Sequence, residues 1–285
     1  IVTKPDKPKG RSLKLTFSAV KQIALEKWKD IPLYQPQKAS EPSFAEELKP
    51  FNADLFVVVA YGEIVKQNLL DMPHLDCINL HASLLPKYRG AAPIQYALLN
   101  GEKETGVSII KMALKMDAGE ILLQEKITIP KEMNLSELEG ELSLIGSKTL
   151  FEVIERYKEG RVKKIVQNEA EATYVKKIDP SLAQIDWNRS AYDVHNAIRA
   201  FNPRPGAFCF IKIGSDTKRL KIHRAKVHKE AKGVRGETFF MTKHTWVIAC
   251  KTEGIELIEV QLEGKKRLDI GSFLRGLNTP PQMLS

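Results

Sequence analysis

Cysteine is scarce in this sequence: Cys77, Cys209 and Cys250 are the three among 285 residues. They are far apart, odd in number and never in CxxC spacing. That excludes a disulfide framework and a cysteine zinc site as the basis of the fold, and it fits a reducing, cytoplasmic setting. No apolar run approaches the roughly 18 residues that a membrane-spanning helix needs, so no membrane partner is expected. The longest, Leu55 to Tyr61, has the length of a buried strand. Ile1 to Leu15 lacks the apolar core of a signal peptide. Internal repeats and low-complexity tracts are absent too, which leaves no sign of a solenoid or propeller. Charge excess is missing from the first 175 residues, where 24 basic side chains meet 24 acidic ones.

What is present is an ordinary globular composition, 43% hydrophobic and 28% charged, at a length comfortable for two domains. The whole net charge of +9 falls in Lys176–Ser285, with 20 basic and 11 acidic residues. Such asymmetry points to a polyanion for the second part and other work for the first; a basic solvated surface is the plainer reading of the same count.

In the first part short apolar runs alternate with helical patterns. A helix is expected from Phe17 to Trp28, another over Ser43–Leu48, and a helical turn near Glu63–Leu70. Asp54–Ala60 is a continuous β-branched run, as in a parallel strand covered on both faces. Cys77–Leu80, Val107–Met112 and Glu120–Ile129 read as further strands, and Pro93–Leu99 as a helix. Ser136 with Glu139 has the spacing of a capping box, opening a helix to about Glu159. This predicts an α/β domain over residues 1–159 with a Rossmann-like parallel sheet. Polar, aperiodic residues 160–175 read as a linker. In 176–285 a helix, Ala191–Ala200, precedes five short strands, Ala207–Ile213, Arg219–Lys226, Gly236–Met241, Trp246–Lys251 and Ile255–Leu262, which predicts a small OB-like β-barrel.

The densest motif is Asn79-Leu-His81-Ala-Ser83-Leu84-Leu85-Pro86-Lys-Tyr88-Arg89-Gly90-Ala-Ala-Pro93. It lies at the C-terminal end of an expected parallel strand, where open α/β sheets bind ligands. Asn79 and His81, two apart, point to the same side. Downstream, Met116-Asp117-Ala118-Gly119 puts a carboxylate in a tight turn. Taken singly, each has a structural reading: a satisfied histidine, a turn-forming aspartate, a capping asparagine.

Together with Glu104-Thr105-Gly106-Val107, these residues resemble the folate-dependent formyltransferase family, over Ile1 to about Ile154. The resemblance implies Asn79, His81 and Asp117 as the catalytic set, 10-formyltetrahydrofolate as formyl donor, and no metal. It implies a folate site at Ser83, Leu84, Leu85 and Pro86, with the main chain of Glu63 to Val65 reading the pterin edge. Ile185-Asp186-Trp187 and Ile198-Arg199-Ala200-Phe201-Asn202-Pro203-Arg204-Pro205 resemble the start of the second domain in members that act on methionyl-tRNA. There the family often has Trp where this chain has Arg204. The basic stretch Lys4–Lys14, broken by Pro5, Pro8 and Gly10, resembles the loop that enters the acceptor stem, which makes Lys7, Lys9, Arg11 and Lys14 the expected tRNA contacts. The partners so implied are folate and methionyl initiator tRNA, with a monomeric enzyme in the cytoplasm. A relative acting on an amino-sugar nucleotide and a non-catalytic RNA-binding relative are the other readings. Family members carry a strand and a helix before the Lys-Pro-Asp loop, which this sequence is expected to lack.

Overall fold

A computed structural model describes residues 1–9 and 14–284. Along the chain run β1 (Lys7–Lys9), β2 (Lys14–Thr16), α1 (Ala19–Lys27), α2 (Pro42–Leu48), β3 (Leu55–Val59), α3 (Gln67–Leu70), β4 (Asp76–His81), β5 (Arg89–Gly90), α4 (Pro93–Leu99), β6 (Glu104–Lys111), β7 (Ile121–Thr128) and α5 (Leu135–Lys158). They are followed by β8 (Tyr174–Val175), α6 (Ala191–Ala200), β9 (Phe208–Ile213), β10 (Asp216–His228), β11 (Thr238–Met241), β12 (Trp246–Ala249), β13 (Gly254–Leu262), β14 (Arg267–Asp269), α7 (Ile270–Arg275) and β15 (Gln282–Leu284). The chain forms two compact units, one of residues 1–81, 109–123 and 156–167, the other of 82–108, 124–155 and 168–285.

The expected Rossmann-like sheet is present as four strands in the order β3-β4-β6-β7. β3 and β4 are parallel, with Leu55 opposite Asp76 and Val59 opposite Leu80. In the first unit Ala39, Phe44, Ala45, Val65 and Leu69 form a buried cluster, with Tyr34 and Phe56 packed on it. Three details differ from the sequence expectations. Pro8 sits inside β1, which pairs with β2 in an antiparallel ribbon; a two-stranded ribbon is all edge, where proline's missing N–H is tolerated. The helical turn is confined to Gln67–Leu70. The capping box that opens α5 is Asn134 with Glu137, not Ser136 with Glu139. Asn134 Oδ1 accepts from Ser136 N and Glu137 N at 2.9 and 3.1 Å, and Glu137 Oε2 accepts in return from Asn134 N at 2.9 Å. Asparagine caps at least as well as serine, and Ser136 is already inside the helix.

Asp76, at the start of β4, anchors the sheet from below. Its side chain is 2% exposed and lies 2.7 Å from Lys111 Nζ and 2.6 Å from Lys164 Nζ. It also accepts from Tyr157 Oη at 2.7 Å. Burial pushes its carboxyl up, but hydrogen bonds from Lys111, Lys164 and Tyr157 outweigh that and hold it below the usual value of 3.8. A depressed carboxylate stabilises the fold above the unfolded pKa and loses that contribution as pH falls through the folded one. Asp76→Asn is therefore expected to destabilise by about 1.5–3 kcal/mol at pH 7, with the gap to wild type closing below pH ~4. Urea unfolding across pH measures it; a gap independent of pH would contradict the assignment.

The last hundred residues build a seven-stranded antiparallel sheet, β11-β12-β13-β10-β9-β15 with β14 on β13, coiled into a nearly closed barrel. Its core includes Trp246, Ile211, Leu220, Ile222, Leu257 and Val260, with α6 contributing Val194 and Ile198. Trp246 is fully buried and satisfies its indole N–H on Thr238 Oγ1 at 2.9 Å. β14, α7 and β15 extend the five strands read from sequence.

Candidate active site

Two neighbouring chain segments of the first unit bring the catalytic candidates together. β4 ends on His81, and side chains two apart on a strand share a face, so Asn79 and His81 project together. His81 is 6% exposed and Asn79 half-buried. Beyond β6 the chain turns through Met112–Glu120 before entering β7. Asp117 sits in that turn with Oδ2 3.6 Å from His81 Nδ1, an ion-pair distance slightly longer than a hydrogen bond. The imidazole, carboxamide and carboxylate named from the motif thus include one direct pair and a third group beside it on the same strand face.

The turn has its shape for identifiable reasons. Asp117 takes φ +52°, the left-handed region, which aspartate tolerates better than most residues. Gly119 packs against the end of β6 so closely that a Cβ would stand 1.7 Å from the carbonyl oxygen of Lys111. Lys111 N donates to Glu120 O at 2.9 Å and Met112 N to Cys77 O at 2.7 Å, which ties the turn back to β4. The spacing Asp-x-Gly is therefore a packing requirement as well as a motif. Gln167, within the stretch expected as a linker, is 6% exposed and donates to the carbonyls of both Asp117 and Gly119. An isolated glutamine in a polar, aperiodic stretch carries no signal that could have found it.

The Ser83–Pro86 loop, in the second unit, is fixed by its own polar groups. Ser83 is fully buried, and its Oγ donates to Lys87 O at 2.7 Å. Ser108 Oγ donates to Ser83 O at 2.6 Å and accepts from Leu85 N at 3.0 Å. Gln124 Nε2 donates to Ser108 Oγ and to Leu85 O at 2.7 and 2.9 Å. Ser108 and Gln124 are the loop's supports that the motif did not name. The Ser83 hydroxyl is spent on shaping the loop and Leu85 is buried, so the side chains this loop leaves partly exposed between them are those of Leu84 and Pro86. Arg89, fully buried, pairs with Glu169 at 2.9 Å and donates to Tyr174 Oη at 2.9 Å.

After β3 the chain passes through Ala60 (φ +48°) and Gly62 (φ +72°). Val65 is buried in the apolar cluster, and the Glu63 carboxylate accepts from Ala39 N at 3.4 Å. Of the basic candidates, Lys7 is exposed on β1, and Lys9 and Lys14 end the paired segments of the ribbon. Arg11 lies outside the described residues. The ribbon's base is anchored by Asp6, which accepts from Lys21 Nζ at 2.6 Å and Gln35 Nε2 at 2.9 Å. Arg204, at the position where the family often has Trp, donates from Nη2 to both oxygens of Glu139 at 3.0 and 2.9 Å. Among the described residues no cluster of three His, Cys, Asp or Glu could hold a metal ion, and no helix is long and apolar enough to cross a membrane.

This two-part chain coincides with a known class. Residues 1–154 match the profile of the family described as formyl transferase, and 177–278 that of the formyl transferase C-terminal domain. The chain belongs to the formyl transferase family. Its full-length similarity is to methionyl-tRNA formyltransferases: that of Protochlamydia amoebophila is 46% identical over 278 residues, 98% of this chain and 87% of that protein. Among solved structures, WlaRD, a sugar 3N-formyl transferase, is 19% identical with a TM-score of 0.65, over 93% of this chain and 88% of WlaRD. HypX from Aquifex aeolicus, solved with tetrahydrofolic acid, is 17% identical with a TM-score of 0.61 over 95% of this chain; the chain spans 50% of HypX. At such identities these two structures attest to the fold alone.

Proposed function

We propose that this chain transfers the formyl group of 10-formyltetrahydrofolate to the α-amino group of methionine on initiator tRNA, with Asn79, His81 and Asp117 as the groups that do the chemistry. The observation that carries this reading is the His81–Asp117 pair at the end of β4, 3.6 Å apart, in a chain similar along nearly its whole length to methionyl-tRNA formyltransferases. The folate supplies an electrophilic formyl carbon on N10. The neutral amine attacks that carbon, and negative charge develops on the formyl oxygen. Asn79 donates an amide N–H to that oxygen and His81 a ring N–H, each placed before the reaction begins. Asp117 orients the imidazole, keeps its donating face toward the substrate and stabilises its charged form. The amine gives up a proton, N10 receives one through a bound water, and the C–N10 bond breaks. Ser83, Leu84, Leu85 and Pro86, with the main chain of Glu63 to Val65, hold the folate.

Residues 1–159 are the catalytic domain in this reading, 160–175 the connection, and 176–285 the tRNA platform. The protein works as a monomer in the cytoplasm. Lys7, Lys9, Arg11 and Lys14 contact the acceptor stem, whose groove is read by shape and backbone more than by base edges. The direct test is formyl transfer from 10-formyltetrahydrofolate to methionyl initiator tRNA, beside elongator tRNA and an amino-sugar nucleotide. Transfer to initiator tRNA is expected, and transfer to the sugar alone would end the proposal. The basic excess adds a second expectation. Binding of methionyl-tRNA should weaken steeply with salt, log affinity falling by about 0.9 per duplex phosphate neutralised for each log unit. A flat response in a filter-binding or fluorescence titration would remove the basic domain and ribbon from tRNA recognition.

A further inference from the structure

The carboxylate partner of His81 is held by a side chain that no motif named. Gln167 is buried, and its single amide nitrogen donates at 2.8 Å to Asp117 O and at 2.7 Å to Gly119 O. These are the carbonyls on either side of Ala118, so one amide spans the turn that presents Asp117. The backbone beneath Gln167 is fixed in turn. Ile165 pairs with Ile121, N to O at 2.8 and 2.9 Å in the two directions, two residues before it. Asp117 itself stands at φ +52°, a conformation that persists only where surrounding bonds determine it.

We infer that Gln167 is a positioning residue: by bridging the carbonyls of Asp117 and Gly119 it fixes the backbone angle at which the Asp117 carboxylate meets His81. This deepens the proposed function and rests on the reading of Asp117 as part of the catalytic set. A glutamine that merely filled space could be replaced by an isostere. One that sets a carboxylate's direction could not, because displacements of about 1 Å at a reacting centre lower rates by as much as ~10²-fold.

The test is a double-mutant cycle of Gln167→Met, which keeps the shape and removes both donated protons, with Asp117→Asn. Single-turnover rates keep residual activity readable. Gln167→Met alone is expected to lower the transfer rate by about 10-fold or more with KM for methionyl-tRNA unchanged within about 2-fold. In the Asp117→Asn background the same change should alter the rate by less than about 2-fold, because the group it acts through has been disabled. Equal losses in both backgrounds would mean a general structural role and would overturn the inference. If Asp117→Asn slows transfer and Gln167→Met does not, the positioning role fails while the catalytic reading stands. If Asp117→Asn leaves the rate unchanged, both fail. Should Gln167→Met not fold, Gln167→Asn, one methylene too short to span the two carbonyls, enters the same cycle.

Discussion

Replacing His81 with alanine is expected to lower kcat for formyl transfer by about 10²–10³-fold, and Asn79→Ala by a comparable factor. In the proposed mechanism each substitution removes a donor aimed at charge that exists only in the transition state, so the loss falls on kcat and leaves KM for methionyl-tRNA nearly unchanged. In the proposed function the tRNA is held by phosphate contacts on other residues. Folding should survive, since both substitutions are at the end of β4, while the centre of the strand is held by its register with β3 from Leu55–Asp76 to Val59–Leu80. Asp117→Asn keeps the shape of the turn and removes the negative charge 3.6 Å from the imidazole, so a smaller loss is expected than from deleting the ring. Steady-state kinetics with thermal melts as the folding control decide it. A His81→Ala enzyme with wild-type kcat would eliminate the imidazole from the mechanism.

The parts of this molecule that sequence could announce are those with a period or a crowded motif. β3 is legible because Leu55 to Val59 is apolar at every position, and α6 because its apolar face recurs at helical spacing up to Ala200. β4 is legible from its strand-end polar pair, and the Asp117 turn from the glycine that follows. The connection near residues 160–175 is opaque for a physical reason. It is held by hydrogen bonds and ion pairs, Lys164 on Asp76, Ile165 on Ile121, Gln167 on the turn, Glu169 on buried Arg89, and Tyr174–Val175 alongside Arg89–Gly90. Such contacts need no apolar stripe, so they leave no periodicity to read. The same applies to Ser108 and Gln124, whose value lies in the loop they brace, far away in sequence. The departure at Arg204 was visible in the sequence, but its consequence was not, because its partner Glu139 is 65 residues earlier.

Gly119 should be the least replaceable glycine near the site, and Gly119→Ala is expected to lower both stability and rate. An added methyl would stand 1.7 Å from Lys111 O and 2.9 Å from Lys111 C, and both atoms are backbone at the end of β6. Neither can swing aside as a side chain would. Relief has to come from moving the turn, which breaks the Gln167 bond to Gly119 O and shifts Asp117 away from His81. Overpacking of this kind destabilises by about 1–3 kcal/mol, occasionally more, and the displaced carboxylate should lower kcat by as much as ~10²-fold. Gly140 provides the contrast. It lies within α5 with no heavy atom within 4 Å of the position a Cβ would take, so Gly140→Ala meets no clash and gains helix propensity, a stabilisation of about 0.5–1 kcal/mol. Urea titrations of the two variants, with formyl-transfer rates alongside, should move in opposite directions for stability and separate completely for activity. If Gly119→Ala behaves like Gly140→Ala, the close approach of the turn to Lys111 is wrong, and the support it gives to the His81–Asp117 pair goes with it.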